Sequence, residues 1–158
     1  MEGMVIALIG VASAVILAGI GSSIGVGLAG QASAGVMSED PEKFGRLLIL
    51  VALPGTQGIY GFVGAFLAIM RLGLVGGVQV ARITPHQGWQ VLFACLPVAF
   101  CGLLSAIHQG RVCAAGVHMT AKQPDASGKA MVMGVFVEFY AVLGLLMTIL
   151  LLLGIQLG

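Results

Sequence analysis

Charge is what this sequence has least of: 7 Lys and Arg and 6 Asp and Glu in 158 residues, 8% in all. A soluble domain of this length carries roughly a quarter of its residues as charges to meet water, so lipid is the expected solvent. The net charge of +1 excludes a polyphosphate-binding surface and with it a nucleic-acid partner. Cysteine is scarce too, and Cys95, Cys101 and Cys113 form no metal spacing or disulfide frame, so they read as small buried apolar groups. There is no Gly-x-x-x-x-Gly-Lys-Ser/Thr loop, and Gly19-Ile20-Gly21 follows no strand, so neither an ATP site nor a dinucleotide site is expected. No nucleophile and base pair points to hydrolysis.

What is present is long apolar sequence: 59% of residues are hydrophobic, with 25 glycines. Residues 3–38, 47–70, 72–81 and 83–110 contain no Asp, Glu, Lys or Arg, and 130–158 contains one, Glu138. Since about 20 apolar residues cross a bilayer as a helix, the expectation is an all-α membrane protein of four transmembrane helices. They are expected over about 4–36, 44–71 (interrupted at Pro54), 88–121 and 128–155. Met1-Glu2-Gly3 is acidic where a signal peptide is basic, so the first run reads as an uncleaved helix. Ser38-Glu39-Asp40-Pro41-Glu42-Lys43 and Lys122-Gln123-Pro124-Asp125 read as tight turns, and residues 72–87 as a loop beside an interfacial Trp89.

The halves repeat at an offset of 83, with Gly19, Ser22, Gly27, Ala32, Pro41, Gly45 and Gly61 recurring as Gly102, Ser105, Gly110, Ala115, Pro124, Gly128 and Gly144. Two hairpins in tandem, 1–75 and 76–158, therefore lie parallel and not inverted. Glu138 falls opposite Gly55, so only the second hairpin keeps a carboxylate. Lys43, Arg46, Lys122 and Lys129 flank the hairpin turns against Arg71 and Arg82 at the other side, which places turns 37–43 and 122–127 in the cytoplasm and both termini outside. Gly21, Gly25 and Ala29, four apart, form a small-residue stripe. Such a stripe suits one helix pair or a crowded ring of identical helices, and its length favours the ring.

An acid inside a membrane span is a functional group by default. Counting about 1.5 Å per residue from the turns puts Glu138, Gln57 and Gln109 at one depth, roughly 15–20 Å in. Leu53, Thr56, Gln57 and Tyr60, spaced three and four apart, line one face of the second helix. Oxygen donors around one carboxylate suit a hard monovalent cation. A proton carrier needs only the acid, so sodium is preferred over the proton. Tyr60 is placed to hold the carboxylate through its hydroxyl. Arg111, two residues past Gln109, is expected on another face; His86, His108 and His118 have no zinc-like spacing.

Leu53-Pro54-Gly55-Thr56-Gln57-Gly58-Ile59-Tyr60-Gly61 and Val137-Glu138-Phe139-Tyr140-Ala141, with Gln109 between them, resemble the K or c proteolipids that form the membrane ring of V-type ATPases, most of all the bacterial sodium-pumping members. Phe139 departs from the Thr often found beside the acid in that family. The resemblance covers essentially the whole chain. It implies a homo-oligomeric rotor ring that binds one Na+ per copy at Glu138, Thr56, Gln57, Gln109 and the main-chain carbonyl of Leu53, with Tyr60 bonded to the glutamate. It implies a stator membrane protein with an arginine that displaces the ion, central-stalk proteins, and ATP hydrolysis on other parts of the complex. The rival expectations are the same rotor component in a proton pump, a four-helix secondary transporter for organic cations, and a purely structural scaffold.

Overall fold

The computed structural model describes residues 1–75 and 81–157. Among these residues, five α-helices make four spans: α1 (Glu2–Glu39), α2 (Phe44–Ala52) continuing into α3 (Thr56–Arg71), α4 (Pro85–Lys122) and α5 (Ser127–Gly154). All four spans are long and apolar enough to cross a membrane. The 38-residue α1 and α4 reach about 57 Å at 1.5 Å per residue, longer than a hydrocarbon core of about 30 Å. They therefore project beyond the shorter spans.

Proline sets the punctuation. Pro41 and Pro124 each open a single 3-10 turn that reverses the chain. Pro54 is the middle residue of a third, Leu53–Gly55, inside the second span: its missing N–H breaks the α-helical ladder, and the chain restarts as α3 at Thr56. Pro97, by contrast, lies within α4 without ending it. The second span stops where Gly73 turns to φ 70°, with Gly73 N–H donating to Met70 and Leu74 N–H to Ile69, the paired bonds of a Schellman cap.

The expected loop 72–87 is too long at its far end. Thr84 caps α4 reciprocally with Gln87, and Pro85 occupies the first helical position, where its fixed φ and absent N–H cost nothing. Thr84-Pro85-His86-Gln87 is thus a helix start and not loop. Likewise α1 runs to Glu39, three residues past the expected end. The expected boundary between the hairpins, at 75 and 76, and the chain end at 158 involve residues outside those described.

The hairpin turns share one end of the bundle: Lys43 Nζ donates to the Ala121 carbonyl at 3.0 Å and pairs with Asp40 at 3.2 Å. At the other end Arg71 Nη2 donates to the Ile155 carbonyl (2.5 Å) and Gln87 Nε2 to that of Gln156 (2.8 Å). The two hairpins therefore run parallel.

Inside, α1 and α4 pack backbone to backbone. A Cβ on Gly21 would lie 2.5 Å from the Leu103 carbonyl oxygen, and one on Gly110 2.5 Å from that of Gly25. The small-residue stripe expected to serve a ring is therefore spent within the chain: Gly21, Gly25 and Ala29 are buried, the two glycines against α4. Spacing identifies the close-packing face but not its partner, which is why the sequence misassigned it. Two apolar clusters form the core, one of Ala7, Val11, Ala14, Ala65, Val91 and Val98 with their neighbours, the other of Ala29, Leu47, Leu50, Cys113, Val117 and Ala130. Between them lies a polar layer.

Candidate ion site

The polar layer is built where the second span breaks. Beyond Pro54, the Leu53 carbonyl accepts both the N–H and, at 2.9 Å, the hydroxyl of Thr56. The first turns of α3 then present Gln57 inward, fully buried, and Tyr60 toward α5. From α1, the Ser22 hydroxyl accepts the Gly58 N–H at 2.7 Å, satisfying a donor at the restart of the helix that the broken ladder leaves exposed. The site residues thus stand on a short, capped helix start.

The α4 and α5 helices complete it. Gln57 Nε2 donates to Gln109 Oε1 at 2.5 Å, and Gln109, also fully buried, donates through Nε2 to the Gly134 carbonyl at 3.0 Å and toward Glu138 Oε2 at 3.4 Å. Tyr60 donates to Glu138 Oε1 at 2.5 Å. Leu53, Thr56, Gln57, Tyr60, Gln109 and Glu138 therefore fall in one connected network. The direct partners of Glu138 are Tyr60 and Gln109; Thr56 and the Leu53 carbonyl reach it through Gln57 and Gln109.

Ser22 and Ser105, which the sequence did not mark as site residues, belong to this layer. Ser105, buried, donates to the Val137 carbonyl at 2.8 Å and accepts from Gln57 Nε2 at 3.4 Å. Two signals could have found it: it precedes Gln109 by one helical turn, on the same face, and it is Ser22 of the other repeat. The residues given bland readings make no hydrogen bond to the site, although Cys113 packs beside Gly134 at its edge. Arg111, His108 and His118 lie on exposed positions of α4, Cys95 and Cys113 are buried, and no group of three or more His, Cys, Asp or Glu gathers for a metal among the described residues.

Counting donors shows what the layer can do. The Thr56, Tyr60 and Ser105 hydroxyls and both glutamine amides already have acceptors for their hydrogens. What they leave over is oxygen: lone pairs on Thr56 Oγ1 and Gln57 Oε1, 3.4 Å apart, and a carboxylate. Such a layer is chemically suited to a cation.

Comparison with known proteins agrees with the duplication. The profile of the ATP synthase C-subunit family matches residues 9–68 and again 92–151, an offset of 83 that equals the internal repeat. The K subunit of the V-type sodium ATPase of Enterococcus hirae is 47% identical over 152 residues, covering 96% of this chain and 93% of that protein. The K subunit of the A-type ATP synthase of Methanocaldococcus jannaschii is 39% identical, covering 100% of this chain and 66% of that protein. The 16 kDa proteolipid of the V-type proton ATPase of Homo sapiens is 28% identical, covering 92% and 89%.

Proposed function

Because the chain belongs to the ATP synthase C-subunit family, as a duplicated four-span proteolipid of a V/A-type rotary ATPase, we propose that it carries one Na+ per copy at Glu138 in a homo-oligomeric rotor ring. Family membership displaces the four-helix carrier and the scaffold as readings. In this proposal Thr56, Gln57, Gln109 and the Leu53 carbonyl replace the ion's water shell, and Tyr60 holds the carboxylate. ATP is hydrolysed on other subunits, and a stator arginine offers Glu138 a competing cation so that the ion leaves.

The observation that carries sodium over the proton is the oxygen left unspent in the layer of Glu138: lone pairs on Thr56 Oγ1 and Gln57 Oε1, 3.4 Å apart, for which a proton carrier has no use. Gln109 Nε2 can only donate to the carboxylate, and its amide cannot turn over without giving up the Gly134 carbonyl. The Tyr60 hydroxyl holds the carboxylate in place. A carboxylate at this depth must still be neutralised, and the unspent oxygens supply the coordination for a cation to do so. The sodium ATPase name of the Enterococcus hirae relative supports the same reading.

Two further parts of the proposal concern placement. The hairpins divide as 1–75 and 76–158, the first with Gly55 where the second has Glu138. Lys43, Arg46, Lys122 and Lys129 put turns 37–43 and 122–127 in the cytoplasm and both termini outside.

Carbodiimide labelling of Glu138 in the purified ring, at fixed pH with and without Na+, tests the ion. Carbodiimide reacts with the protonated acid, so bound Na+ slows labelling. Labelling that follows pH alone and ignores Na+ makes the chain a proton carrier instead.

A further inference from the structure

A side-chain amide has an oxygen end and a nitrogen end of nearly equal size, and only its oxygen end can ligate a cation. Gln57 and Gln109 are buried completely, so nothing but their neighbours decides which end faces the site. For Gln109 the decision is direct: Gly134 offers a carbonyl at 3.0 Å, and Nε2 must face it. Gln57 touches no main-chain carbonyl of α5 in the same way.

We infer that Ser105 is a positioning residue that, together with Gln109 Oε1, fixes the polarity of the Gln57 amide, and through it the preference of the site for a metal cation over a proton; this rests on the sodium reading above. The Val137 carbonyl only accepts, so the Ser105 hydroxyl spends its single hydrogen on it, at 2.8 Å. Its oxygen then has only lone pairs to turn toward Gln57, 3.4 Å away, and Gln57 must answer with Nε2. The second hydrogen of Nε2 goes to Gln109 Oε1. Gln57 Oε1 is thereby left facing Thr56 Oγ1, at 3.4 Å, beside the Leu53 carbonyl that Thr56 also contacts. Two carbonyls one turn apart on α5, Gly134 and Val137, thus orient both amides, and the helix that carries the carboxylate also sets its ligands. For the farther amide, Gln109 Oε1 takes one hydrogen of Nε2 and the hydroxyl relay takes the other, so both acceptors hold the same end.

Without the hydroxyl, Gln57 loses one of the two acceptors that hold its nitrogen end in place. The flipped amide then presents N–H to the cation. Proton binding needs only Glu138, so it is spared.

The experiment is carbodiimide labelling of the assembled ring carrying Ser105→Ala, read as two quantities: the labelling rate without Na+ and the Na+ concentration that halves it. The expected result is an unchanged sodium-free rate with a half-protection concentration raised about tenfold, the loss of one hydrogen bond worth about 1.4 kcal/mol, and recovery of the wild-type value in Ser105→Thr. Wild-type half-protection in Ser105→Ala overturns the inference, as does a sodium-free rate that changes along with it. Should Ser105→Ala fail to assemble, Ser105→Cys, close in size but a poor acceptor, is read the same way, and failure of both assigns the residue to packing and overturns the inference. Absence of Na+ protection in the wild-type ring is a separate result that sinks the sodium reading itself.

Discussion

The Tyr60 hydroxyl reaches from the second span to the fourth and donates to Glu138 Oε1 at 2.5 Å, tying the first hairpin to the carboxylate of the second. A hydrogen bond to an ionised group contributes about 1.5–3 kcal/mol. Tyr60→Phe is therefore expected to weaken Na+ binding by tenfold or more, read as the Na+ concentration that half-protects Glu138 from carbodiimide. An unchanged value removes Tyr60 from the site.

Glu138→Gln keeps the size of the side chain and removes its charge. Na+ uptake into vesicles bearing the whole complex is expected to fall by at least a hundredfold, with the ring still migrating intact on a native gel. Loss of the ring would make the glutamate a structural group.

The approach of α1 to α4 leaves no room at Gly110, where a Cβ would meet the Gly25 carbonyl oxygen at 2.5 Å. Backbone cannot yield as a flexible side chain can. Gly110→Ala is expected to cost about 1–3 kcal/mol by overpacking, seen as a lower thermal midpoint in detergent, while Gly154→Ala, with open space around it, is expected to leave the midpoint in place.

Thr148 offers its hydroxyl to the Val98 N–H at 3.1 Å, joining α5 to α4 one residue past Pro97. Bonds of this kind between membrane helices contribute about 0.6 kcal/mol, up to about 1.7. Thr148→Val should lower the melting midpoint by a few degrees and leave Na+ protection of Glu138 untouched. A shift in that protection would mean that the far end of the bundle couples to the site.

Much of this was legible in the sequence, because membrane spans announce themselves through missing charge and the turns through proline. Glu138 was conspicuous as the one carboxylate in its apolar run. Ser22 and Ser105 were not, for a physical reason: a serine in a helix usually bonds back to its own chain, as Ser13, Ser23 and Ser38 do to carbonyls three residues earlier. Nothing in the sequence separates those from the two that reach across. The start of α4 was missed because polar Thr84-Pro85-His86 after a glycine-rich stretch reads as loop, whereas a capping threonine and a proline at the first helical position are also how a helix begins. The partner of the small-residue stripe was missed because periodicity gives a face, and only the fold gives what covers it.

The polar layer draws Thr56, Gln57 and Tyr60 from one repeat and Gln109 and Glu138 from the other. Neither half holds the whole polar layer, so the halves are no longer two copies of one device. The two repeats have become interdependent: a chain cut between the hairpins would make fragments that must find each other before the layer could form, and no ring built from a single fragment would contain it.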